Sequence, residues 1–284
     1  MSYNHFNMNN WMIALLSLLG FSLLCLLYGF WIEPRWVKVR KLEINISNDH
    51  PARDQSILFF SDLHVGAKTT PRKLQKQMRQ IAKQKADVIL FGGDLVEEKT
   101  PLWDESFKAM VIETLSSLSA PHGKWAIFGN HDVEAPRYRL WTEDVLQKSG
   151  FVMLENEAIS LLGIPVWGFG NTHHTEAYFD EKRFNESAQA TDDFKLYLVH
   201  ESDWFPTHRP AEGPGLVLCG HSHYGQVTLF GLPLIRPKGA KKYWRGHYSL
   251  APNLGMLVSA GLGTVHIHAR FFARPDVIRL SFKR

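Results

Sequence analysis

The sequence contains little cysteine, no low-complexity tract and no internal repeat. Its two cysteines are Cys25, in an apolar segment, and Cys219, in a strand-like run, so they are not expected to pair. This count excludes a small fold held together by a disulfide framework and indicates no redox compartment. The apolar fraction of 45% is ordinary for a globular protein, so a sizeable core can form.

Charge is missing from one long segment near the N-terminus. Trp11 to Ile32 is 22 residues without a charged side chain, and a tryptophan lies near each end. A helix of roughly 20 apolar residues crosses the hydrocarbon core of a bilayer. Residues 1–10 contain no lysine or arginine, and no small-residue cleavage site follows the segment, which argues against a cleaved signal peptide. We therefore predict a short tail over residues 1–10 and a retained transmembrane anchor over residues 11–32.

The charges that flank this segment predict its orientation. Arg35, Lys38, Arg40 and Lys41 follow it, whereas no basic residue precedes it. Because positive charge is retained on the cytoplasmic side, the sequence predicts a single-pass membrane protein whose residues 33–284 face the cytoplasm as one large domain.

Acidic residues are almost missing from the C-terminal part of the chain. Residues 236–284 contain ten lysines or arginines and one acid, Asp276, whereas the rest of the chain has 22 basic and 27 acidic residues. A solvated basic face would explain this asymmetry, and so would a face that meets anionic lipid or a phosphate-bearing substrate. No basic motif with interleaved aromatics indicates a nucleic-acid-binding module.

The remaining pattern predicts an α/β domain. Its first half alternates buried strands with amphipathic helices, and its second half consists mostly of strands, which favours sheets covered by helices. The predicted strands include 42–46, 57–60, 87–91, 124–128, 152–154, 164–169, 196–200, 216–219, 227–229, 256–259 and 277–281; the predicted helices begin at Pro71 and cover 103–119 and 137–149.

Five polar motifs follow apolar runs and contain residues suited to binding metal ions. They are Ser61-Asp62-Leu63-His64, Gly92-Gly93-Asp94, Gly129-Asn130-His131-Asp132, His200 and Gly220-His221-Ser222-His223. Each motif alone is a weak signal, because such pairs are usually surface or capping residues. All five occur at predicted strand ends, which is where sheets of this kind place their binding sites.

The residue types in these motifs indicate hydrolysis at phosphorus. Imidazoles and carboxylates without thiolates suit manganese, iron or zinc and argue against a purely structural zinc site. Two metal ions about 3.5–4 Å apart can stabilise an in-line displacement at phosphorus and activate the attacking water. Seven residues are the predicted ligands, with Asp94 suited to bridge the two ions: Asp62, His64, Asp94, Asn130, His200, His221 and His223.

The order of these motifs resembles that of the calcineurin-like metallophosphoesterase superfamily, over nearly the whole of the chain after the apolar segment. The resemblance implies a four-layer αββα sandwich. Later residues are similar to a branch with an N-terminal membrane segment, which includes bacterial phosphodiesterases and a UDP-2,3-diacylglucosamine pyrophosphatase. These residues are Gly225-Gln226, Leu232-Pro233-Leu234, Gly261-Leu262-Gly263-Thr264, Arg270-Phe271-Phe272 and Arg274-Pro275-Asp276.

The resemblance also implies a role for each site residue. Asp62, His64 and His223 would bind the first metal ion, and Asp94 would bridge the two ions. Asn130, His200 and His221 would bind the second ion. His131 would act as the general acid or stabilise charge on the phosphoryl group, and Asp132 would orient it by accepting its other ring N–H.

Two further segments are candidates for binding substrate. Members of the branch often have paired aspartates after the strand that ends near residue 168, whereas this chain has Asn171-Thr172-His173-His174. This segment is either a polar loop or a place where His173 or His174 reaches the substrate phosphate. The basic segment 236–245, which includes Lys241, Lys242 and Arg245, is either solvated or meets lipid head groups.

We therefore expect an enzyme that uses two divalent metal ions, manganese first and iron, zinc or magnesium as alternatives, to hydrolyse a phosphodiester or pyrophosphate. The membrane segment favours a membrane-associated substrate such as a UDP-linked glycolipid of the UDP-2,3-diacylglucosamine type. The alternatives are a nuclease or general phosphodiesterase of the same superfamily and, ranked last, a non-catalytic binding module. Nucleic acid is ranked below lipid as a partner, and no obligatory protein partner is inferred.

Overall fold

The N-terminal apolar segment forms a single long helix. The computed structural model describes residues 8–187, 194–208 and 213–283. Helix α1 covers Met8–Leu27, three residues earlier than predicted, and helical turns continue through Tyr28–Ile32 and Glu33–Arg35. Within the described ranges, Asn10–Arg35 is the one helical stretch long and apolar enough to cross a membrane. Residues 1–7 of the predicted tail lie outside the described residues.

The first sheet has six strands, five from residues 38–153 and one from residues 276–283 near the C-terminus. The strands are β1 Lys38–Asn45, β2 Ser56–Phe60, β3 Val88–Phe91, β4 Lys124–Ala126, β5 Phe151–Met153 and β14 Asp276–Lys283. Their order is β1-β14-β2-β3-β4-β5, in which β14 is antiparallel to β2 and the other neighbours are parallel.

The second sheet and a separate hairpin contain the remaining strands. They are β6 Glu157–Leu161, β7 Ile164–Gly168, β8 Lys195–Leu198, β9 Gly215–Cys219, β10 Thr228–Leu229, β11 Leu232–Pro233, β12 Gly246–Ala251 and β13 Leu254–Val258. The second sheet has six strands in the order β12-β13-β9-β8-β7-β6, and the hairpin pairs β10 with β11. The two outer strands of the sheet, β6 and β12, were not predicted, because each is partly exposed and lacks a continuous apolar run.

Helices cover the outer faces of both sheets. On the first sheet, Leu74, Val111 and Val145 from three helices join a core with Phe60 and Phe91. A second core lies between the sheets, and a third lies outside the second sheet, where aromatic side chains dominate. This arrangement is the predicted four-layer αββα sandwich. The helices are α2 Pro71–Ala82, α3 Glu105–Ser116, α4 Asn130–Val133, α5 Pro136–Lys148, α6 Glu181–Ser187 and α7 Trp204–His208.

The topology places the end of the apolar helix beside the carboxyl ends of the central strands. Strand β1 begins at Lys38, directly after the last helical turn, and runs parallel to β14. Because β14 is antiparallel to β2, Ile278 near its start pairs with Phe59 near the end of β2. The apolar helix therefore joins the domain at the edge of the sandwich where β2, β3 and β4 end.

Candidate metal centre

All seven predicted ligands lie at this one edge of the sandwich. Asp62 and His64 follow β2, Asp94 follows β3, and Asn130 begins α4 after β4. From the second sheet, His200 follows β8, while His221 and His223 follow β9. Both sheets therefore contribute polar side chains to the space between their strand ends, although the residues are up to 161 positions apart in the chain.

Three of these residues form the first group. Nε2 of His64 lies 3.0 Å from Nε2 of His223, which lies 3.5 Å from Oδ1 of Asp62. The candidate ligand atoms of the three residues lie within 4.8 Å of one another. The Nδ1 atom of His64 is 3.0 Å from the carbonyl oxygen of Val96, so its Nε2 atom faces the other members of the group. This spacing suits a shared metal ion.

The second group contains Asp94, His200 and His221, whose candidate ligand atoms also lie within 4.8 Å of one another. His200 uses Nδ1 to contact the carbonyl oxygen of Gly92 at 2.7 Å, which leaves Nε2 3.1 Å from Oδ2 of Asp94. His221 uses Nε2 to contact the carbonyl oxygen of Lys238 at 2.7 Å, so Nδ1 is its candidate ligand atom. Such backbone partners orient an imidazole ligand.

Asp94 lies between the two groups. Its Oδ2 atom is 3.5 Å from Nε2 of His64 and 3.1 Å from Nε2 of His200. Its Oδ1 atom accepts the backbone N–H of His131 at 2.9 Å, which fixes the carboxylate. One carboxylate thus faces imidazoles from both sheets, the position that a bridging ligand would need.

The residues present fit divalent metal ions. Oδ1 of Asn130 is buried and has no hydrogen-bond partner among the described residues, whereas Nε2 of His200 has the Asp94 carboxylate at 3.1 Å. An unpaired buried polar atom is costly, and a metal ion would satisfy the Asn130 oxygen. The donor set is oxygen and imidazole nitrogen, which suits manganese, iron or zinc. Asn130 was predicted from its motif, and the unpaired oxygen supports the same assignment.

The backbone is strained at most of the candidate ligands. Positive φ angles occur at Asp62 (54°), Asp94 (58°) and His221 (67°), and also at His64 and His223. Residues other than glycine rarely adopt this left-handed conformation, and such strain is concentrated at functional sites.

Two glycines allow close approach to the central carboxylates. A Cβ atom on Gly129 would lie 2.1 Å from Oδ1 of Asp94, and one on Gly261, whose φ is 67°, would lie 2.5 Å from Cβ of Asp62. The chain can therefore enclose both carboxylates only if these positions lack side chains.

Burial and mutual charge shift the titration of the cluster. Burial, helped by the nearby charge of Asp94, raises the pKa of Asp62 to about 6. Burial lowers the pKa of His64 to about 3 and that of His221 to about 4, so both imidazoles are neutral near pH 7. Burial alone would raise the pKa of Asp94, but the charges of His200 and His131 outweigh it and hold that pKa well below its usual range. Burial alone would lower the pKa of His200, but the Asp94 carboxylate raises it well above its usual range. The neutral forms of His64 and His221 are those that bind metal, whereas a metal ion would have to displace the proton of His200.

His131 lies beside the first group. Its ring centroid is 5.2 Å from that of His64, and its Nδ1 atom is buried without a hydrogen-bond partner among the described residues. The nearest carboxylate to that nitrogen is Glu134, at 3.6 Å. Candidate ligand atoms of His131, His64 and Asp94 also lie within 4.8 Å of one another, so His131 lies at the border of the candidate metal centre.

The predicted hydrogen bond from His131 to Asp132 is wrong. The Asp132 carboxylate accepts the backbone N–H groups of Asp94 (2.7 Å) and Gly129 (2.9 Å). It also accepts the N–H groups of Leu95 and Val96 and the hydroxyl of Thr142. Its two oxygens are thus fully used within the loops after β3 and β4. The sequence spacing suggested a neighbour for His131, whereas the start of α4 turns Asp132 toward the backbone of the Asp94 loop.

The predicted substrate residues do not all lie near the cluster. The His173 ring centroid lies 5.6 Å from that of His221, and Asn171 holds this loop by accepting the N–H groups of His173 and His174. His174 contacts His173, with ring centroids 6.4 Å apart. The backbone N–H groups of Lys241 and Lys242 bind Asp203, and Arg245 lies over the Tyr224 ring at 5.2 Å. The described contacts therefore connect His173, but not the three basic residues, with the predicted ligands.

The sequence did not indicate the roles of Arg270 or of two further histidines. Arg270 is fully buried, and burial lowers the pKa of its guanidinium to about 10. Its Nη2 donates to the carbonyl oxygens of Ala260 (2.8 Å) and Gly263 (2.6 Å), in the loop that contacts Asp62. His266 and His268 line a cavity of about 100 Å³ together with His131. Only the tertiary structure brings these residues to the site.

The fold and the metal-suited cluster define a metallophosphoesterase. Residues 55–247 match the calcineurin-like phosphoesterase family, and the chain belongs to that family. An uncharacterized metallophosphoesterase of Helicobacter pylori is 28% identical over 92% of this chain and 69% of its own length. The uncharacterized metallophosphoesterase YkuE of Bacillus subtilis is 28% identical over 90% and 89%, respectively. The phosphodiesterase YaeI of Escherichia coli is 28% identical over 89% and 91%. The chain is thus a phosphoric ester hydrolase, and its clustered histidines and aspartates suggest divalent metal ions.

Proposed function

We propose that this protein hydrolyses the phosphodiester or pyrophosphate bond of a membrane-associated substrate, such as a UDP-linked glycolipid of the UDP-2,3-diacylglucosamine type. Residues 33–284 would be its catalytic domain, anchored by α1 and facing the cytoplasm. The observation that carries this proposal is the position of the anchor, which joins the domain at the edge where the candidate ligands lie. A substrate held in the bilayer surface would meet the cluster without leaving the membrane.

The candidate ligands and His131 would have different roles in the reaction. Two divalent metal ions, manganese first, would supply positive charge at the phosphoryl group and an activated water when bound. Asp62, His64 and His223 would hold one ion, Asn130, His200 and His221 the other, and Asp94 would contact both. His131 would donate a proton or a hydrogen bond to the reacting phosphoryl group, a role supported by its unpaired buried Nδ1.

Substrate selection would involve the loop that contains His173. Its ring lies beside His221, and the Asn171 side chain donates to Glu201 at 2.5 Å, which stabilises the loop. Protonated or neutral, an imidazole at this place can donate to a phosphate oxygen. His174 follows His173 in the same loop and would act with it. Lys241, Lys242 and Arg245 would instead contact lipid head groups at the membrane surface.

The test is a product analysis with the full-length protein in lipid nanodiscs. Manganese, iron, zinc and magnesium are supplied in turn, with an aryl phosphomonoester, an aryl phosphodiester, a UDP-linked diacylglucosamine and single-stranded DNA as substrates. We expect the diester and the glycolipid to be cleaved and the monoester to be a poor substrate. The Asp94→Asn variant is the matched control for contaminating hydrolase.

Three results would contradict the proposal in different ways. Preference for DNA over the glycolipid would indicate a nuclease, and cleavage of aryl diester alone would indicate a general phosphodiesterase. Protein that contains less than one metal ion per chain and cleaves none of these substrates would indicate a binding module. A C-terminal reporter active only outside the cytoplasm would overturn the orientation.

A further inference from the structure

The hairpin β10–β11 exposes an unusual amount of apolar surface. Phe230 is 84% exposed, Leu232 72% and Ile235 77%, and Leu229 and Leu234 are exposed as well. These five side chains are close together in the sequence and lie outside the cores described above. Contiguous exposed apolar residues mark a contact with another molecule or with a membrane. We call residues 228–235 the apolar hairpin.

The base of the apolar hairpin is bound to the same segment as the anchor. Thr228 donates from its N–H (3.0 Å) and its hydroxyl (2.8 Å) to the carbonyl oxygen of Phe271. The N–H of Phe271 donates to the carbonyl oxygen of Gln226 at 2.9 Å, and the N–H of Arg270 donates to that of Gly29 at 2.9 Å. Because 270 and 271 are adjacent, the hairpin and the end of the apolar helix are held side by side.

Aromatic side chains connect the two elements. The Tyr28 ring meets Phe271 edge-on with centroids 5.7 Å apart, and Phe272 lies 6.2 Å from Phe230. The centroids of Phe271 and Phe272 are 4.9 Å apart. An apolar path thus runs from the helix that would cross the membrane to the tip of the hairpin.

Basic side chains border this apolar path. A cavity of about 590 Å³ between the hairpin and the base of the anchor is lined by Lys38, Arg245 and Arg274 together with Phe230. Glu33 accepts the N–H groups of Phe272 and Ala273, and Asp276 forms an ion pair with Arg40 at 3.2 Å. With Arg40, four basic residues line the cavity against these two acids. Positive charge therefore remains at the rim of the cavity.

We propose that the apolar hairpin is a second membrane contact, which enters an anionic bilayer beside the anchor. Phe230, Leu232 and Ile235 lie in the boundary between head groups and acyl chains, and Lys38, Arg245 and Arg274 meet anionic head groups. Each basic residue near such a surface adds electrostatic attraction, and burial of the apolar side chains adds to it. The inference rests on the proposed anchor and extends it, because one helix alone leaves the domain free to tilt.

This contact fixes which way the candidate metal centre faces. Gln226, two residues before the apolar hairpin, donates to the carbonyl oxygens of Val265 and Ile267 at 3.0 and 2.7 Å. The candidate ligand His223 lies three residues before Gln226 in the same turn. A hairpin held in the bilayer therefore holds the cluster at the bilayer surface, where a lipid-linked substrate presents its phosphate.

The test measures membrane depth and does not depend on hydrolysis. In a Cys25→Ala background, Phe230→Cys receives an environment-sensitive fluorophore, and the full-length protein is inserted into vesicles that carry shallow nitroxide-labelled lipid. Ala251→Cys is the matched control, since it lies in the exposed end of β12, away from the edge that carries the anchor. We expect strong quenching at position 230, more with phosphatidylglycerol than with phosphatidylcholine alone, and little quenching at position 251.

Further variants separate the contributions. Replacing Lys38, Arg245 and Arg274 by glutamine is expected to remove the dependence on phosphatidylglycerol. Protein that resists carbonate extraction but shows equal, weak quenching at both positions would overturn this inference and leave the anchor intact. Protein extracted by carbonate would overturn both. A blue shift at position 230 that requires several chains per vesicle, without quenching by lipid, would indicate a second copy of the chain and would also overturn it.

Discussion

The Oδ2 atom of Asp94 lies 3.1 Å from Nε2 of His200. Asp94 follows a strand of the first sheet and His200 follows a strand of the second, so this contact joins the two sheets at the edge where the other candidate ligands lie. A carboxylate in this position would neutralise charge on both metal ions.

The Asp94→Asn variant is expected to lose metal and turnover together. Asparagine keeps the shape of the side chain but removes its charge, so the second group loses its carboxylate and the first group keeps only that of Asp62. We expect metal content per chain to fall by half or more and turnover of an aryl phosphodiester to fall by roughly 100-fold or more. Elemental analysis and initial rates measure the two effects. The surface change Asp144→Asn serves as the control, and a variant with full metal content would contradict a bridging role.

The His131→Gln variant is expected to behave differently. His131 lies close to His64 and Asp94 but is assigned no ligand role, so its loss should lower turnover by about 100-fold or more while metal content stays near that of the native protein. Glutamine retains a hydrogen-bond donor without acid–base chemistry. Loss of metal in this variant would make His131 a ligand and remove its proposed role.

The Asp132→Asn variant is expected to destabilise the fold. Its carboxylate accepts four backbone N–H groups, and an asparagine amide would direct its own N–H groups at some of those donors. We expect the free energy of unfolding of the metal-free protein to fall by about 2 kcal/mol or more. Thermal or denaturant unfolding checks this, with His131→Gln as the comparison. Unchanged stability with a large loss of turnover would restore a catalytic role.

Acidification is expected to release metal. The pKa of Asp62 is raised to about 6 in the metal-free protein, so its carboxylate is ionised and able to bind metal at pH 7.5. As the pH falls through 6, protons compete with metal for this group, and affinity should decrease. Equilibrium dialysis at several pH values measures this, with circular dichroism to show that the chain stays folded. Constant affinity between pH 7.5 and 5 would contradict the ligand role of Asp62.

The sequence by itself determined the superfamily and the main strands. Apolar runs followed by Asp62, Asp94 and His200 are local signals, since a buried strand and the polar residue after it are adjacent in the chain. The same is true of the uncharged segment that became α1. Edge strands β6 and β12 were missed because a half-exposed strand has no strong apolar pattern of its own.

Only the tertiary structure decided which residues meet. The direction of the Asp132 side chain depends on the turn at the start of α4, and the role of Arg270 depends on a loop that folds around Asp62. The position of the apolar hairpin depends on hydrogen bonds between Phe271 and residues more than 40 positions earlier. Such contacts join distant parts of the chain, so no local pattern encodes them, and only tertiary contacts bring the apolar helix, the hairpin and the candidate metal centre to one edge of the sandwich.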